Sequence, residues 1–442
     1  MGFFRFFDSS QVFLKYFFVV RALNIVQTGS EHNISFDLTI PHTKPIPSIT
    51  QPRHATRIPL EVIMLFMDAA YNDENIELNK SMLRSFALVC RDWSMHAQRL
   101  LFRHVALDSL ADYLAFKTAA DRSTERGRVL GNAVRTMRVS LDPNQPFALD
   151  QLSFAHAVTL CPQLHELTIG LYGCVSPGPD IVGSPDTTRM RRPAPAFDEA
   201  ALAILRSGPS IAALRFNNWS ENRQSITQLL GVWPTLKSLV IGGTASPELP
   251  SPVCEPLPCA LEKLGINVQS CPSVDFMRWL LHNSHDTLCS IEFEREPSTA
   301  VLQHVVESHH ATLTSLALPT CSRATARVLA KCKCTSLRKF TVEDAASFPL
   351  ALKELSTGVE HIGFSLNKES SMQAALEAVK ANGSLQAVTV NLWNGGKLHR
   401  QLPSLKMACA LRGIHLRITD DIRVFRVIVQ GEHMTRVPDT LL

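Results

Sequence analysis

The fold is decided by a short stretch, LKSLVI at residues 236–241, whose pattern of apolar residues recurs along the chain. In this frame the first, fourth and sixth residues are apolar, and the frame returns as LEKLGI at 261–266 and LCSIEF at 288–293. From Leu236 onward the first positions of successive copies are 25, 27, 25, 24, 22, 26 and 26 residues apart. This period predicts a solenoid of stacked repeats over residues 104–442.

Twelve copies of the frame can be aligned, and the segments between them have a different period. The copies begin at Phe102, Val134, Leu164, Ile211, Leu236, Leu261, Leu288, Leu313, Leu337, Val359, Leu385 and Leu411. Each frame alternates as a strand does, whereas intervening segments such as VDFMRWLLHNS at 274–284 have helical spacing. A strand, a turn and a helix in each repeat predict an α/β fold with a curved parallel sheet on one side and helices on the other.

This pattern resembles that of leucine-rich repeats in a degenerate form. Regular members of that family place Asn or Cys at the ninth position, where the side chain bonds the turn backbone. Here the ninth position holds, among other residues, Tyr172, Trp219, Thr244, Gln269 and Cys321. The resemblance therefore implies an irregular solenoid. Pro-rich segments at 173–197 and 242–258 interrupt the period and are expected to form surface loops.

A separate helical pattern precedes the repeats, at residues 57–103. In RIPLEVIMLFMDAA, residues 57–70, apolar side chains recur at i, i+3, i+4 and i+7, which is one face of a helix. Pro59 stands where a helix start tolerates proline. The segment at 80–102 has the same spacing. About 45 residues can bury only a marginal core, so we expect apolar side chains of this helical module to need a partner.

The two blocks of this module resemble the F-box motif. Residues 58–63, IPLEVI, match the family's opening, in which Leu-Pro precedes Glu-Val-Ile, with Ile58 in place of Leu; residues 88–93, LVCRDW, match its second half. The resemblance implies docking on a Skp-type adaptor and, through it, on a cullin ubiquitin ligase. The residues that it assigns to this docking surface are Ile58, Pro59, Leu60, Ile63, Leu88, Val89 and Trp93. The alternative is that Ile63, Leu88 and Trp93 are core residues.

Composition narrows the class of protein. Hydrophobic residues make up 45% and charged residues 19% of the 442-residue chain, as in globular proteins. The net charge of +4 comes from 44 basic and 40 acidic side chains that are dispersed along the chain, which does not fit a protein that tracks nucleic-acid phosphates. The 11 cysteines are scattered and predict reduced thiols in an intracellular protein, cytoplasmic, nuclear or both.

Residues 1–56 are interpreted as an N-terminal extension and linker. Its first part is rich in Phe, but Arg5, Asp8, Lys15 and Arg21 interrupt it, so no apolar run reaches the length of a transmembrane helix. Two interpretations stay open for this extension. It is either an amphipathic helix that binds a membrane surface or a partner, or an accessory segment.

The sequence contains no motif typical of catalysis or of a cofactor site. It has no glycine-rich phosphate loop, no metalloprotease helix and no nucleophile elbow. His304, His309 and His310 fall on one predicted helix, yet the adjacent pair cannot share a face as metal ligands would. We therefore expect a protein that is not an enzyme and that has no cofactor and no metal.

Side chains that alternate with the buried apolar residues are expected to project from the concave face of the sheet. The candidates for substrate binding are Arg215, Glu292, Glu294, Lys339, His361 and Arg417. Glu292 and Glu294 are two residues apart on one predicted strand, so both could meet a basic segment of a target, with the cations at its sides. The alternative is a solvated face without a ligand.

The chain as a whole thus resembles F-box proteins with degenerate leucine-rich repeats of the fungal type. Its expected function is the substrate-recognition subunit of a Skp/cullin/F-box ubiquitin ligase, which holds a target protein on the repeats. The alternative is a non-catalytic scaffold in which the helical module only caps the solenoid, because the end of a repeat stack must be covered.

Overall fold

A computed structural model describes residues 59–71, 76–173, 194–244, 246–249, 255–332, 335–353 and 358–430. The predicted N-terminal extension, Ile58 and the greater part of the first Pro-rich segment lie outside these residues. Contacts divide the chain into two units, Met1–Ala97 and Gln98–Leu442. Each unit is described by itself below.

The first unit contains the predicted helical module up to Ala97. Its helices are α1 (Leu60–Tyr71), α2 (Ile76–Phe86) and the first part of α3 (Arg91–Phe102). Met67 of α1 and Leu83 of α2 are fully buried and form the centre of a small core. The ring of Phe86 meets those of Phe66 and Trp93 edge-on, with centroids 6.4 and 5.7 Å apart, which ties the three helices together.

The division between the units falls inside α3. On the side of the second unit, the Phe102 ring stacks on that of Phe116 with centroids 6.4 Å apart. Gln98 Oε1 accepts two hydrogen bonds from the Arg126 guanidinium, at 2.8 and 3.2 Å. The last turns of α3 thus pack on the first repeat. The predicted end of the module, residue 103, follows the last residue of this helix.

The second unit is a stack of strand and helix repeats, which confirms the predicted α/β class. Its strands within the described residues are β1 (His104–Leu107), β2 (Thr136–Leu141), β3 (Glu166–Tyr172), β4 (Ala213–Trp219), β5 (Ser238–Gly243), β6 (Lys263–Val268), β7 (Ser290–Phe293), β8 (Ser315–Leu318), β9 (Lys339–Val342), β10 (His361–Leu366), β11 (Ala387–Leu392) and β12 (His415–Thr419). They form one open, curved, parallel sheet in which each strand lies beside the next in chain order. Sequential parallel order is the arrangement of a solenoid.

Helices follow most strands and, apart from the last one, cover one face of the sheet. Those of the described residues are α4 (Leu110–Ala119), α5 (Glu125–Ala133), α6 (Gln151–Thr159), α7 (Glu199–Arg206), α8 (Ser225–Leu230), α9 (Val274–Leu280), α10 (Thr299–His309), α11 (Arg323–Cys332), α12 (Phe348–Lys353), α13 (Gln373–Ala381), α14 (Leu402–Arg412) and α15 (Ile422–Gln430). Short 3-10 turns lie at His282–Ser284 and Gly396–Leu398. Each connection is long enough for a parallel crossover.

The register of the sheet agrees with the alignment of the first eleven copies of the frame. Leu239 of β5 pairs with Leu264 of β6, and Ile241 pairs with Ile266, as the frame requires. These apolar positions form one continuous buried ladder under the helices. Since strand side chains alternate, the residues between them lie on the opposite face, which we call the polar face.

The last copy of the frame is predicted two residues too early. Strand β12 places Leu416 beside Val388, so the copy begins at Gly413 and not at Leu411. Leu411 belongs to α14 and is 80% exposed. Gly413 ends that helix with a φ of 66°, a left-handed conformation that favours glycine, and the strand starts only after it. A shift of two residues leaves the same side chains on the same face.

The turns after several strands are closed by Asp or Asn side chains. Asp142 and Asn367 stand at the ninth position of their copies, and Asn218 and Asp344 stand at the eighth. Asn367 Oδ1, for example, accepts from the backbone N–H groups of Glu369 at 3.0 Å and of Ser370 at 2.6 Å. The hydrogen bonds from side chain to turn backbone, which were not predicted from the sequence, are therefore made in these repeats. They come from the eighth or the ninth position of the frame.

Candidate protein-binding sites

The helical module exposes an unusual number of large apolar side chains. Seven of them are between 37% and 71% exposed, namely Leu60, Val62, Leu65, Phe66, Leu88, Val89 and Met95. Single exposed apolar residues are ordinary, but this number within about 40 residues is typical of an interaction surface. This exposure agrees with the expectation that a module of this size cannot cover all of its apolar side chains.

Local backbone geometry explains the exposure of the second block. After α2 ends, Leu88 N donates to Ser85 O at 3.1 Å and Val89 N donates to Phe86 O at 3.2 Å. These bonds hold a tight turn that points both apolar side chains away from the small core. Leu88 is 71% exposed, so the interpretation of this residue as core is wrong.

The other residues assigned by resemblance fall into two groups. Pro59, Leu60 and Val89 are exposed, whereas Ile63 and Trp93 are half-buried. Trp93 supports the surface from below through its ring contact with Phe86. Ile58 lies outside the described residues.

Sequence reasoning missed four members of the exposed set, namely Met95 and three residues of α1. Val62, Leu65 and Phe66 follow i, i+3 and i+4 spacing, so they share one face of α1. The signal was present in the stretch at 57–70, which is apolar on more than one face of its helix. A helix that is apolar almost all round must be covered on each apolar face.

The second candidate site is the polar face of the repeat sheet. Two charged groups stand on it, in different rows of the register. Lys263, Lys339, His361 and His415 lie in the row nearest the strand starts, with Arg417 two residues further on in β12. Glu294 and Glu343 lie just past the ends of β7 and β9. We call the first group the cationic cluster and the second the acidic pair.

The cationic cluster is crowded and partly buried. Burial lowers the pKa of Lys339 to about 8, with further contributions from the charges of Lys263 and Arg417. Burial also lowers the pKa of His361 to about 4, helped by Lys339, Arg417 and His415. No carboxylate is among the causes of either shift. His361 Nε2 shares a hydrogen bond of 2.8 Å with Thr389 Oγ1.

The acidic pair is occupied by the chain itself. Arg426 of α15 donates to Glu343 through Nε at 2.5 Å and Nη2 at 2.9 Å, and to Glu294 through Nη1 at 2.6 Å. The three side chains are only 18–29% exposed. Hydrogen bonds from Arg426 to Glu343 raise the pKa of Arg426, and the charges of Glu343, Glu294 and Glu292 add to this effect. Glu294 also accepts from Asn267 Nδ2 at 2.7 Å.

The helix α15 was not predicted as part of the site. It packs on β11 and β12 and buries Phe425 and Val429 completely or almost so, with Arg426 between them. Apolar residues at i and i+4 were a readable signal for a helix. Its seat on the polar face could not be read locally, because Arg426 and Glu294 are 132 residues apart.

The structure does not bring the six predicted substrate-binding residues together as one group. All six lie on the polar face, but Arg215 on β4 is three strands from Glu292 on β7, and Arg417 on β12 is five strands away. Neighbouring strands are about 4.8 Å apart, so these separations are on the order of 14 Å and more. Arg215 instead interacts with Glu166. Burial raises the pKa of Glu166, and the positive charge of Arg215 reduces that rise.

Comparison with known proteins adds no relative. The chain matches no protein-family model, and it has no significant match among curated proteins. Within the described residues, no helix combines the length and the apolar character needed to cross a membrane. No group of three or more His, Cys, Asp or Glu side chains in that same part of the chain is placed to hold a metal ion.

Proposed function

We propose that this chain is the substrate-recognition subunit of a Skp/cullin/F-box ubiquitin ligase. The observation that carries the proposal is the exposed apolar surface of the helical module, at the residues that resemble the F-box motif. Leu88 and Val89 are held outward by backbone hydrogen bonds and are 71% and 58% exposed. Such side chains contribute most when a partner removes them from water.

The repeats supply the second half of the proposed function. Their sheet presents an extended polar face with separate positive and negative groups, which suits recognition of a protein segment by charge pattern. In this proposal the module docks on the Skp-type adaptor, the polar face holds the target, and other subunits transfer ubiquitin.

A pull-down with a purified Skp-type adaptor tests the docking half. We expect the wild-type chain to bind and the Leu88→Asp, Val89→Asp variant to lose binding, because two carboxylates would enter the apolar contact. Leu411→Asp is the control, since Leu411 is at least as exposed but lies on α14 of the repeat unit. Equal recovery of all three proteins, or of none, would contradict the proposal.

A second candidate function is a protein-binding scaffold in which the module chiefly caps the repeats. The stacking of Phe102 on Phe116 and the bonds from Arg126 to Gln98 favour it, because the last turns of α3 do cover the first repeat. Deleting residues 1–103 distinguishes the two. Aggregation of the remaining repeats, together with no adaptor binding by the full chain, would favour the scaffold.

A further inference from the structure

The surface that α15 covers is more polar than the surface of a typical buried contact. Four polar side chains of β9, β10 and β11 are buried on the polar face, namely Thr341, Ser365, Thr389 and Asn391. Thr341 and Val429 both line the small pocket beneath α15. A helix that permanently covered this sheet would be matched by apolar residues, as the ladder on the other face is.

The fit between α15 and these strands leaves polar atoms without partners. Thr341 Oγ1 and Asn391 Oδ1 are buried and make no hydrogen bond within the described structure. Asn391 does satisfy its amide by donating to Ser365 Oγ at 3.0 Å. Burying polar atoms without partners is unfavourable in free energy. A ligand that supplied hydrogen bonds to these atoms would therefore bind this surface more favourably than α15 does.

Other contacts of α15 are specific. Arg426 makes three charge-assisted bonds to two carboxylates, and such forked pairing selects arginine over lysine. Gly363 of β10 permits the close approach, because a Cβ there would lie 3.0 Å from Val429 Cγ2 and 2.9 Å from Thr341 Oγ1. The site therefore recognises two apolar side chains four residues apart with arginine directly after the first.

The helix itself is built to form and to detach. It has nine residues, and Asp421 Oδ1 accepts from Arg423 N at 2.8 Å at its start. A helix this short is marginal without its tertiary contacts. Its outward residues Val424 and Val427 are 45% and 58% exposed, so only one side of it is held. Segments with few buried side chains open at lower free energy than the core does.

We infer that the part of the polar face beneath α15 is a binding site for a helical segment of a partner protein, in which an apolar residue is followed by arginine, two other residues and a second apolar residue. The helix α15 is the intramolecular occupant of this site, and the partner displaces it. This inference rests on the proposed role of the polar face in target recognition and names the class of target. In this inference, the carboxylates of Glu294 and Glu343 bind the arginine of the partner.

A peptide added in trans tests the inference. The probe is a fluorescently labelled peptide with the sequence of residues 420–430, DDIRVFRVIVQ. The protein is the full chain, either wild type or with Phe425→Asp and Arg426→Glu, which empties the site. We expect the peptide to bind the emptied variant at least about tenfold more tightly than the wild type, because an intramolecular competitor lowers apparent affinity.

Two control peptides define the recognition. An alanine at the position of Arg426 should abolish binding, whereas an alanine at the position of Arg423, which is exposed in the structure, should leave it unchanged. Equal binding by both protein forms, no binding by either, or full binding by the peptide without Arg426 would each overturn the inference.

Hydrogen exchange of the wild-type chain provides a test that does not depend on whether a variant folds. The backbone amides of α15 should exchange at least about tenfold faster than those of β9 to β11, since displacement requires a local opening. Exchange of α15 only at the slow rate of the strands would overturn its role as a displaceable occupant. Adaptor binding, measured on the same samples, is independent of both results, so a failure of the ligase proposal can be told apart from a failure of this one.

Discussion

The helical module and the repeat unit treat their apolar residues in opposite ways. In the repeats, each copy of the frame buries its ladder side chains between sheet and helices, and Phe216 and Phe340 are fully buried. In the module, Phe66, Leu88 and Val89 remain exposed although the core residues Met67 and Leu83 are covered. A long stack can bury its apolar side chains because each repeat is covered by its neighbours, whereas a three-helix module is too small to bury all of its own.

The difference separates two kinds of interaction. The module presents apolar area that gains free energy when a partner covers it. The polar face presents charges and hydroxyl groups, which select a partner more than they attract it. The proposed docking and the proposed target recognition thus depend on different physical properties of different units.

The largest expected effect compares a Phe in each unit. Phe340→Ala should lower the free energy of unfolding by about 3–5 kcal/mol, because it removes a fully buried ring and leaves a cavity. Phe66→Ala should lower it by less than about 1 kcal/mol, since this ring is 60% exposed, and should instead weaken adaptor binding. Chemical denaturation of both variants checks the contrast; similar destabilisation by the two would break it.

The ion pairs of α15 should contribute an intermediate amount. Arg426→Ala should lower the free energy of unfolding by about 1–2 kcal/mol, because it leaves two partly buried carboxylates without their donor. Arg423→Ala, on the same helix, should change it by less than about 0.5 kcal/mol. Thermal denaturation of the two variants measures the difference. If both behave alike, the contacts of Arg426 with Glu294 and Glu343 contribute nothing to stability.

Acid should weaken the repeat unit through His361. Its pKa is about 4 in the folded chain against an ordinary value of 6.5, so the unfolded chain binds more protons between these values. Stability from this residue is complete above pH 6.5 and is lost as the pH falls toward 4, by on the order of 1 kcal/mol. In the His361→Gln variant, the denaturation midpoint should depend less on pH over that window. An unchanged pH profile in the variant would contradict the assignment.

Lys339 should give the smallest effect, with its window at alkaline pH. Its pKa is about 8 in the folded chain against an ordinary value of 10.5, so stability rises as the pH rises from 8 to 10.5. At pH 7 the residue is charged in both states and disfavours folding, and Lys339→Gln should stabilise the protein by roughly 0.5–1 kcal/mol. Thermal melts at pH 7 and pH 10 measure this gain, which should shrink at the higher pH. A variant that is less stable than the wild type at pH 7 would show that Lys339 has a neutralising partner.

The sequence determined the fold class and most of the register, but not the occupant of the polar face. Apolar periodicity is local, so the ladder at Leu239 and Leu264 could be aligned from sequence alone. The last copy was misaligned because Leu411 fits the frame, and only the left-handed turn at Gly413 shows where the helix ends. The pairing of Arg426 with Glu294 leaves no periodic trace and required the folded chain.

The exposed surface of the module was partly readable. Resemblance to a motif pointed to Leu88 and Val89, and the structure shows why they are exposed, through the turn that follows α2. Phe66 was not singled out, because in a helix that is apolar on most sides the sequence does not reveal which side is covered.

Hydrogen exchange in the presence of a purified Skp-type adaptor tests the contrast between the two units most directly. We predict that the adaptor slows exchange in α1 and in the turn at residues 87–89, which follows α2, and leaves the strands from β7 to β11 unchanged. Protection of the polar face by the adaptor, or no protection anywhere in the chain, would contradict the assignment of docking to the module and recognition to the repeats.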